Sequence, residues 1–86
     1  MKAKYKEAYD VLKVMGVPVF VNEDHEKRGN FGINAEDPRA DEWVSYYHPP
    51  INWTFGVNPT LDAVLAQFKL FAEWQNPGCL GVWDYS

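Results

Sequence analysis

Cysteine is nearly absent: Cys79 is the only one among 86 residues. A single thiol cannot close an intramolecular disulfide, which excludes a disulfide-stapled fold. Histidine is almost as scarce, with His25 and His48 alone, whereas a metal centre needs three or four suitably spaced ligands. Glu23, Asp24, His25 and Glu26 stand side by side, without the alternating ligands and central glycine of a calcium loop. They read as a solvated charged turn. No GxSxG, Gly-rich phosphate loop or HExxH pattern occurs. Cys79 follows Pro77-Gly78 at the start of a strand, where a small thiol packs rather than reacts. Asp41 and Glu42 are neighbours and on a strand would face opposite ways, so they would not converge for acid–base work. These absences argue against an enzyme, a metal and a cofactor, and no residue is assigned a catalytic role.

Long apolar runs are missing too. None approaches the length of a membrane span, and the Lys-rich start lacks the apolar core of a signal peptide. The expectation is a soluble, cytoplasmic protein with no membrane partner. Basic charge is sparse beyond the N-terminal third: six basic and five acidic residues precede Gly29, against two and seven from there on. With a net charge of −4, the later two-thirds offer no footprint for a phosphate backbone. Lys2, Lys4 and Lys6 alternate with Ala3, Tyr5 and Glu7 and read as a solvated helix face, so nucleic acid is excluded as a partner.

What the chain does have is aromatic bulk, 16% of residues. A single domain over residues 1–86 buries only about 60–65% of its unfolded surface. Each aromatic ring brings roughly 150–250 Å² to be hidden. Some of this bulk is therefore expected on a functional surface.

The strongest periodic stretch is 58–76. Leu61, Val64, Leu65, Phe68, Phe71 and Ala72 recur at helical spacing, which predicts one continuous helix. Asn58 is its N-cap, Pro59 its first residue, and Asp62 lies in the turn that favours acids. Pro77-Gly78 is read as its stop. An earlier helix is predicted over 4–15, with Tyr5, Ala8, Tyr9, Leu12 and Met15 on one stripe and Gly16 at its end. Residues 17–21 and 31–33 read as paired strands joined by a charged connector over 22–30. Residues 35–42 form a polar turn around Pro38. Residues 43–47 and 51–55 read as two further strands, and 79–85 as the last, with Leu80 and Val82 on one face. The predicted fold is an α+β two-layer sandwich, a mainly antiparallel sheet of four to five strands with two helices on one face, in the order α-β-β-β-β-α-β.

Two surfaces follow from this layout. The aromatic stretch 43–55 offers Trp43, Tyr46, Tyr47 and Trp53 as a patch for a ligand or partner, since Trp and Tyr dominate interface hot spots. On the 58–76 helix, Ala63, Gln67, Leu70 and Trp74 fall on one flank that a two-fold copy could cover. The functional expectation is an acidic protein-interaction module that binds itself as a homodimer, or another protein. One form of it is an acidic mimic of nucleic acid, resting on Glu36, Asp37, Asp41 and Glu42. The alternative is a small-ligand binder or enzyme, with an aromatic pocket between the 43–55 strands and the 48–50 loop.

Overall fold

The structure, a computed structural model, describes residues 1–85. Helix α1 covers Ala3–Met15 and buries the stripe drawn by the sequence. Tyr5, Ala8 and Leu12 are buried, and Tyr9 and Met15 pack partly covered against the same core. Gly16 closes the helix at φ 94°, its N–H bonded to the carbonyls of Leu12 and Lys13. That left-handed conformation is cheap only for a residue without a Cβ.

Four antiparallel strands follow: β1 (Val19–Phe20), β2 (Gly32–Asn34), β3 (Leu70–Asn76) and β4 (Cys79–Asp84), in the spatial order β1-β2-β4-β3. Side chains alternate between faces, and the register sorts them. Val19, Ile33, Leu80 and Trp74 lie across one face, joined by Val82 and Ala72. Phe20, Gly32, Gly81 and Glu73 lie across the other, with Trp83 opposite Phe71. The first face is the core. Ile33, Leu70, Leu80 and Val82 are wholly buried there against Leu12 of α1 and Leu61 and Leu65 of α3 (Pro59–Gln67). Each such side chain contributes about 1.5–3 kcal/mol by leaving water. The α+β two-layer class therefore stands.

Several details differ from expectation. The 58–76 helix is two elements. Asn58 caps α3 through its side-chain oxygen, which accepts from the Thr60 N–H at 2.8 Å, and Pro59 and Asp62 sit in its first turn as expected. The helix then ends at Gln67. The Phe68 and Lys69 N–H groups bond back to Leu65 and Ala66, and Lys69 takes a left-handed φ of 57°. From Leu70 the chain runs extended as β3. Pro77-Gly78 is the turn of a β-hairpin, with Asn76 paired to Cys79 and its side chain accepting the Gly78 N–H at 2.8 Å.

The charged connector is also partly ordered. Glu23–Arg28 forms helix α2, capped by Asn22 accepting the His25 N–H at 2.9 Å. His25 is buried rather than solvated. Its ring meets Phe20 edge-on at 5.5 Å, and the Arg28 guanidinium lies 5.4 Å from the Trp83 ring centre. Phe20 and Trp83 belong to the outer sheet face, so α2 leans on the side opposite α1 and α3. Two helices cover the core face, and a third touches the other.

Residues 43–47 and 51–55 are not strands. A single bridge joins Val44 to Val57, and another joins Thr54 to Val57. The His48-Pro49-Pro50 interruption leaves runs too short to pair along a sheet, because prolines supply no N–H to a ladder. The stretch is instead a loop pinned at its base, where the Ser45 N–H bonds to Gly56 O and the Asn58 N–H to Trp43 O, both at 2.8 Å. A Cβ at Gly56 would collide with the Ser45 carbonyl, so the neck closes only on glycine. The polar turn at Pro38 is a short 3₁₀ helix, Pro38–Glu42. Among the described residues, no helix is long and apolar enough to cross a membrane.

A candidate interaction edge

β3 is an edge strand seven residues long. The Tyr85 N–H bonds to the Lys69 carbonyl at 3.2 Å, which sets the phase of the ladder. The Lys69 carbonyl and the backbone groups of Phe71 and Glu73 turn toward β4. By alternation, Leu70, Ala72 and Trp74 turn theirs away from it. No further strand pairs with β3 among the described residues. Leu70 is wholly buried, so the stretch of edge left open is at Ala72 and Trp74, and an open edge is a template for another strand unless it is charged, bulged or covered. Here the one irregularity lies between Trp74 and Asn76, at the hairpin end.

A cavity of about 390 Å³ lies against this strand, lined by Phe71, Ala72, Glu73, Trp74 and Phe55. Four consecutive strand residues can share one cavity only if it follows the backbone edge, since alternate side chains face opposite sides of the sheet. Phe55 forms the other wall. It is 87% exposed and holds φ at 53°, a conformation that is costly for a bulky residue. Its carbonyl accepts the Trp74 indole N–H at 2.6 Å. Tyr46 stands edge-on to Trp74 at 5.1 Å, with Tyr47 edge-on to Tyr46 at the same separation. On the outer face, Phe71 packs on Tyr85 at 5.2 Å.

The two predicted surfaces are redistributed by this geometry. The helical flank does not exist: Ala63 and Gln67 are exposed on α3, whereas Leu70 is wholly buried and Trp74 is half-buried on β3. Leu70 is core because the chain has left the helix before reaching it. Of the aromatic patch, Tyr46 and Tyr47 are exposed, while Trp43 and Trp53 are half-buried, Trp43 packing against the core. The structure brings Trp74 of one predicted set to Tyr46 and Tyr47 of the other. Phe55 was placed at no candidate site, and Phe71 was expected on the buried stripe of the helix, whereas it is half-buried on the outer face of β3. The period-two alternation of Leu70, Ala72 and Trp74 before an Asn-Pro-Gly turn is the signal that carried Phe71; Phe55 has no comparable signal.

Another hollow, of about 300 Å³, has Tyr46, Tyr47, His48, Asp41 and Pro77 among its lining residues. It borders residues 44–48, but Trp43, Trp53, Pro49 and Pro50 do not line it, so it differs from the aromatic pocket expected between the 43–55 strands and the 48–50 loop. Among the described residues, no group of three or more His, Cys, Asp or Glu is placed to hold a metal ion. The acidic stretch near Pro38 is partly self-neutralised: hydrogen bonds from Arg39 hold the Asp37 carboxyl below the usual carboxylate range. Elsewhere, burial and the nearby Asp84 carboxylate push the Tyr5 hydroxyl up.

Comparison with protein-family models, with curated proteins and with solved structures gave no match.

Proposed function

We propose that this chain is a protein-interaction module whose β3 edge accepts an extended segment of a protein. The observation that carries the reading is the cavity along residues 71–74, walled by an exposed Phe55 in a left-handed conformation. Backbone groups of Ala72 and Trp74 supply the hydrogen bonds of strand addition. Phe55 and Phe71 supply apolar walls for alternate side chains of the incoming segment. Backbone strain gathers at binding sites, and here it is held at a residue whose ring is exposed.

Ala72→Pro tests this reading. The Ala72 N–H faces away from β4, so proline removes an edge donor without breaking the existing ladder, and edge strands tolerate it. Peptides selected from a displayed random library should bind the wild type, perturb the amide resonances of Ala72 and Trp74, and lose at least about tenfold in affinity on Ala72→Pro, equivalent to roughly 1.4 kcal/mol. Selected peptides that bind Ala72→Pro as well as wild type would sink the proposal.

The hollow beside Tyr46, Tyr47 and His48 supports a second reading, a small-ligand site. A metabolite that raises the melting temperature and shifts resonances of Tyr47 and His48, but not those of β3, would favour it.

A further inference from the structure

We infer that the segment accepted by the β3 edge pairs antiparallel and carries a basic side chain, Lys or Arg, opposite Glu73, with an apolar residue on each side of it. The inference rests on the strand-addition reading above. It adds the chemistry of the partner and the register of pairing.

The open edge sets the register. Ala72 and Trp74 carry the backbone groups left for a further strand, and Glu73 stands between them. A residue placed directly opposite Glu73 presents its side chain on the same face of the extended sheet, the outer one. Its two neighbours in the segment fall opposite Ala72 and Trp74 and point to the other side. There the Phe55 carbonyl holds the Trp74 indole N–H at 2.6 Å, and the two rings offer those neighbours apolar contact. The segment therefore alternates apolar, basic, apolar.

Charge and aromaticity select the central side chain. Glu73 is exposed and joins no ion pair among the described residues. Opposite charges directly across a strand pair are favourable, and like charges are unfavourable. Phe71, two residues before Glu73, shares the outer face and lines the same cavity. A cation opposite Glu73 lies diagonal to that ring, within reach of its electron-rich face. The outer face already holds a contact of this kind, the Arg28 guanidinium 5.4 Å from the Trp83 ring centre. Arg28 stays over β4, one strand in from the edge, and leaves Glu73 without a counter-charge. At longer range the net charge of −4 attracts a basic segment and repels an acidic one.

A charge-reversal experiment tests both the chemistry and the register. Library peptides that lose affinity on Ala72→Pro define the edge binders, and they should share a Lys or Arg between apolar residues. The tightest is resynthesised with Gln and with Glu at the basic position. On the wild type, the Gln peptide should bind about fivefold more weakly and the Glu peptide at least about tenfold more weakly. Glu73→Lys should reverse the order, so that the Glu peptide binds tighter than the basic one. Glu7→Lys makes the same change in net charge from an exposed site on α1, on the opposite side of the sheet, and should keep the wild-type order. Circular dichroism establishes that each variant is folded; both sites are exposed, so the fold is not at stake in them.

Reversal on Glu73→Lys, with the order kept in Glu7→Lys, supports the inference. Edge binders without a basic residue, or a Glu peptide that binds the wild type as well as the basic one, overturn it and leave strand addition standing. An order that Glu73→Lys leaves unchanged, or that Glu7→Lys disturbs equally, also overturns it, because the attraction then belongs to net charge and not to the register. Absence of any peptide sensitive to Ala72→Pro overturns the strand-addition reading itself.

Discussion

The two Asn-Pro pairs, at 58–59 and 76–77, form the same local structure and lead to opposite outcomes. Each asparagine side chain accepts the N–H two residues on, and both bonds measure 2.8 Å. After Asn58 the chain coils into α3; after Asn76 it reverses and returns as β4. The difference arises after the turn. Thr60 and Leu61 begin a helical stripe whose buried members, Leu61 and Leu65, point at the core. Gly78 and Cys79 instead begin a strand whose members Leu80 and Val82 alternate into that same core. Propensity near such a turn is weak, and the surface available for burial decides.

The same contrast divides the stretch between the two pairs. Residues 59–67 and 70–76 share apolar spacing compatible with one stripe, yet one half is helix and the other strand. Their contributions to the core are nevertheless alike, since Leu65 and Leu70 are both wholly buried. Leu65→Ala and Leu70→Ala should each cost about 2–5 kcal/mol in urea melts. A mild Leu70→Ala beside a severe Leu65→Ala would mean that β3 is peripheral. Leu70→Glu should abolish folding, because it places a charge in a site without water or a partner.

This comparison also marks what was legible in the sequence. α1, the alternation of Leu80 and Val82, and the Asn58 cap were legible because each is decided within a few residues. The break at Lys69 was not. A lysine carries no signal of left-handed backbone, and Phe71 and Ala72 extend the helical pattern as well as they fill a strand. β3 exists because β4 lies beside it, a pairing created by the hairpin turn beyond. α2 was hidden by its charges: of residues 23–28 only His25 is buried, leaving no apolar stripe to read. The candidate site was half legible. Tyr46, Tyr47 and Trp74 were named, but their meeting depends on a loop packing against the Trp74 side chain, which no local pattern records.

The two asparagines give a finer test. Asn58→Ala should destabilise by about 1 kcal/mol, the usual cost of a lost N-cap. Asn58 also donates from its amide to the Glu42 carbonyl at 2.8 Å, tying α3 to the 3₁₀ turn. Asn76→Ala loses only an exposed turn bond, and about 0.5 kcal/mol is expected. Equal losses in chemical denaturation would indicate that the tie to Glu42 is immaterial. A larger loss at Asn76 would make the hairpin turn the more important of the two.

Phe55 and Gly56 sharpen the contrast between the loop and the strand beside it. Phe55→Asn keeps the carbonyl that receives the Trp74 indole and places a residue tolerant of left-handed backbone at φ 53°. A thermal-melt gain corresponding to about 0.5 kcal/mol is expected. The same variant should weaken any segment bound along β3, since it removes the exposed wall. A gain in stability with a loss in binding separates a residue kept for contact from one kept for the fold. Loss of stability would instead indicate that the ring itself supports the loop.

The smallest effect is the most direct probe of the break. In a helix running through 58–76, glycine at position 69 would cost about 1 kcal/mol, as it does at any exposed interior helical site. In this structure Lys69 holds φ at 57°, a conformation in which a Cβ crowds the following carbonyl. Lys69→Gly removes that crowding, offset by the greater freedom glycine gains in the unfolded chain. The balance is a gain of about 0.5 kcal/mol. Ala66→Gly, at an exposed site one turn earlier inside α3, provides the control and should cost about 1 kcal/mol. Opposite signs for two glycine substitutions three residues apart locate the helix end between them. Equal losses would return Lys69 to a helix and remove the strand edge on which the proposed interface depends.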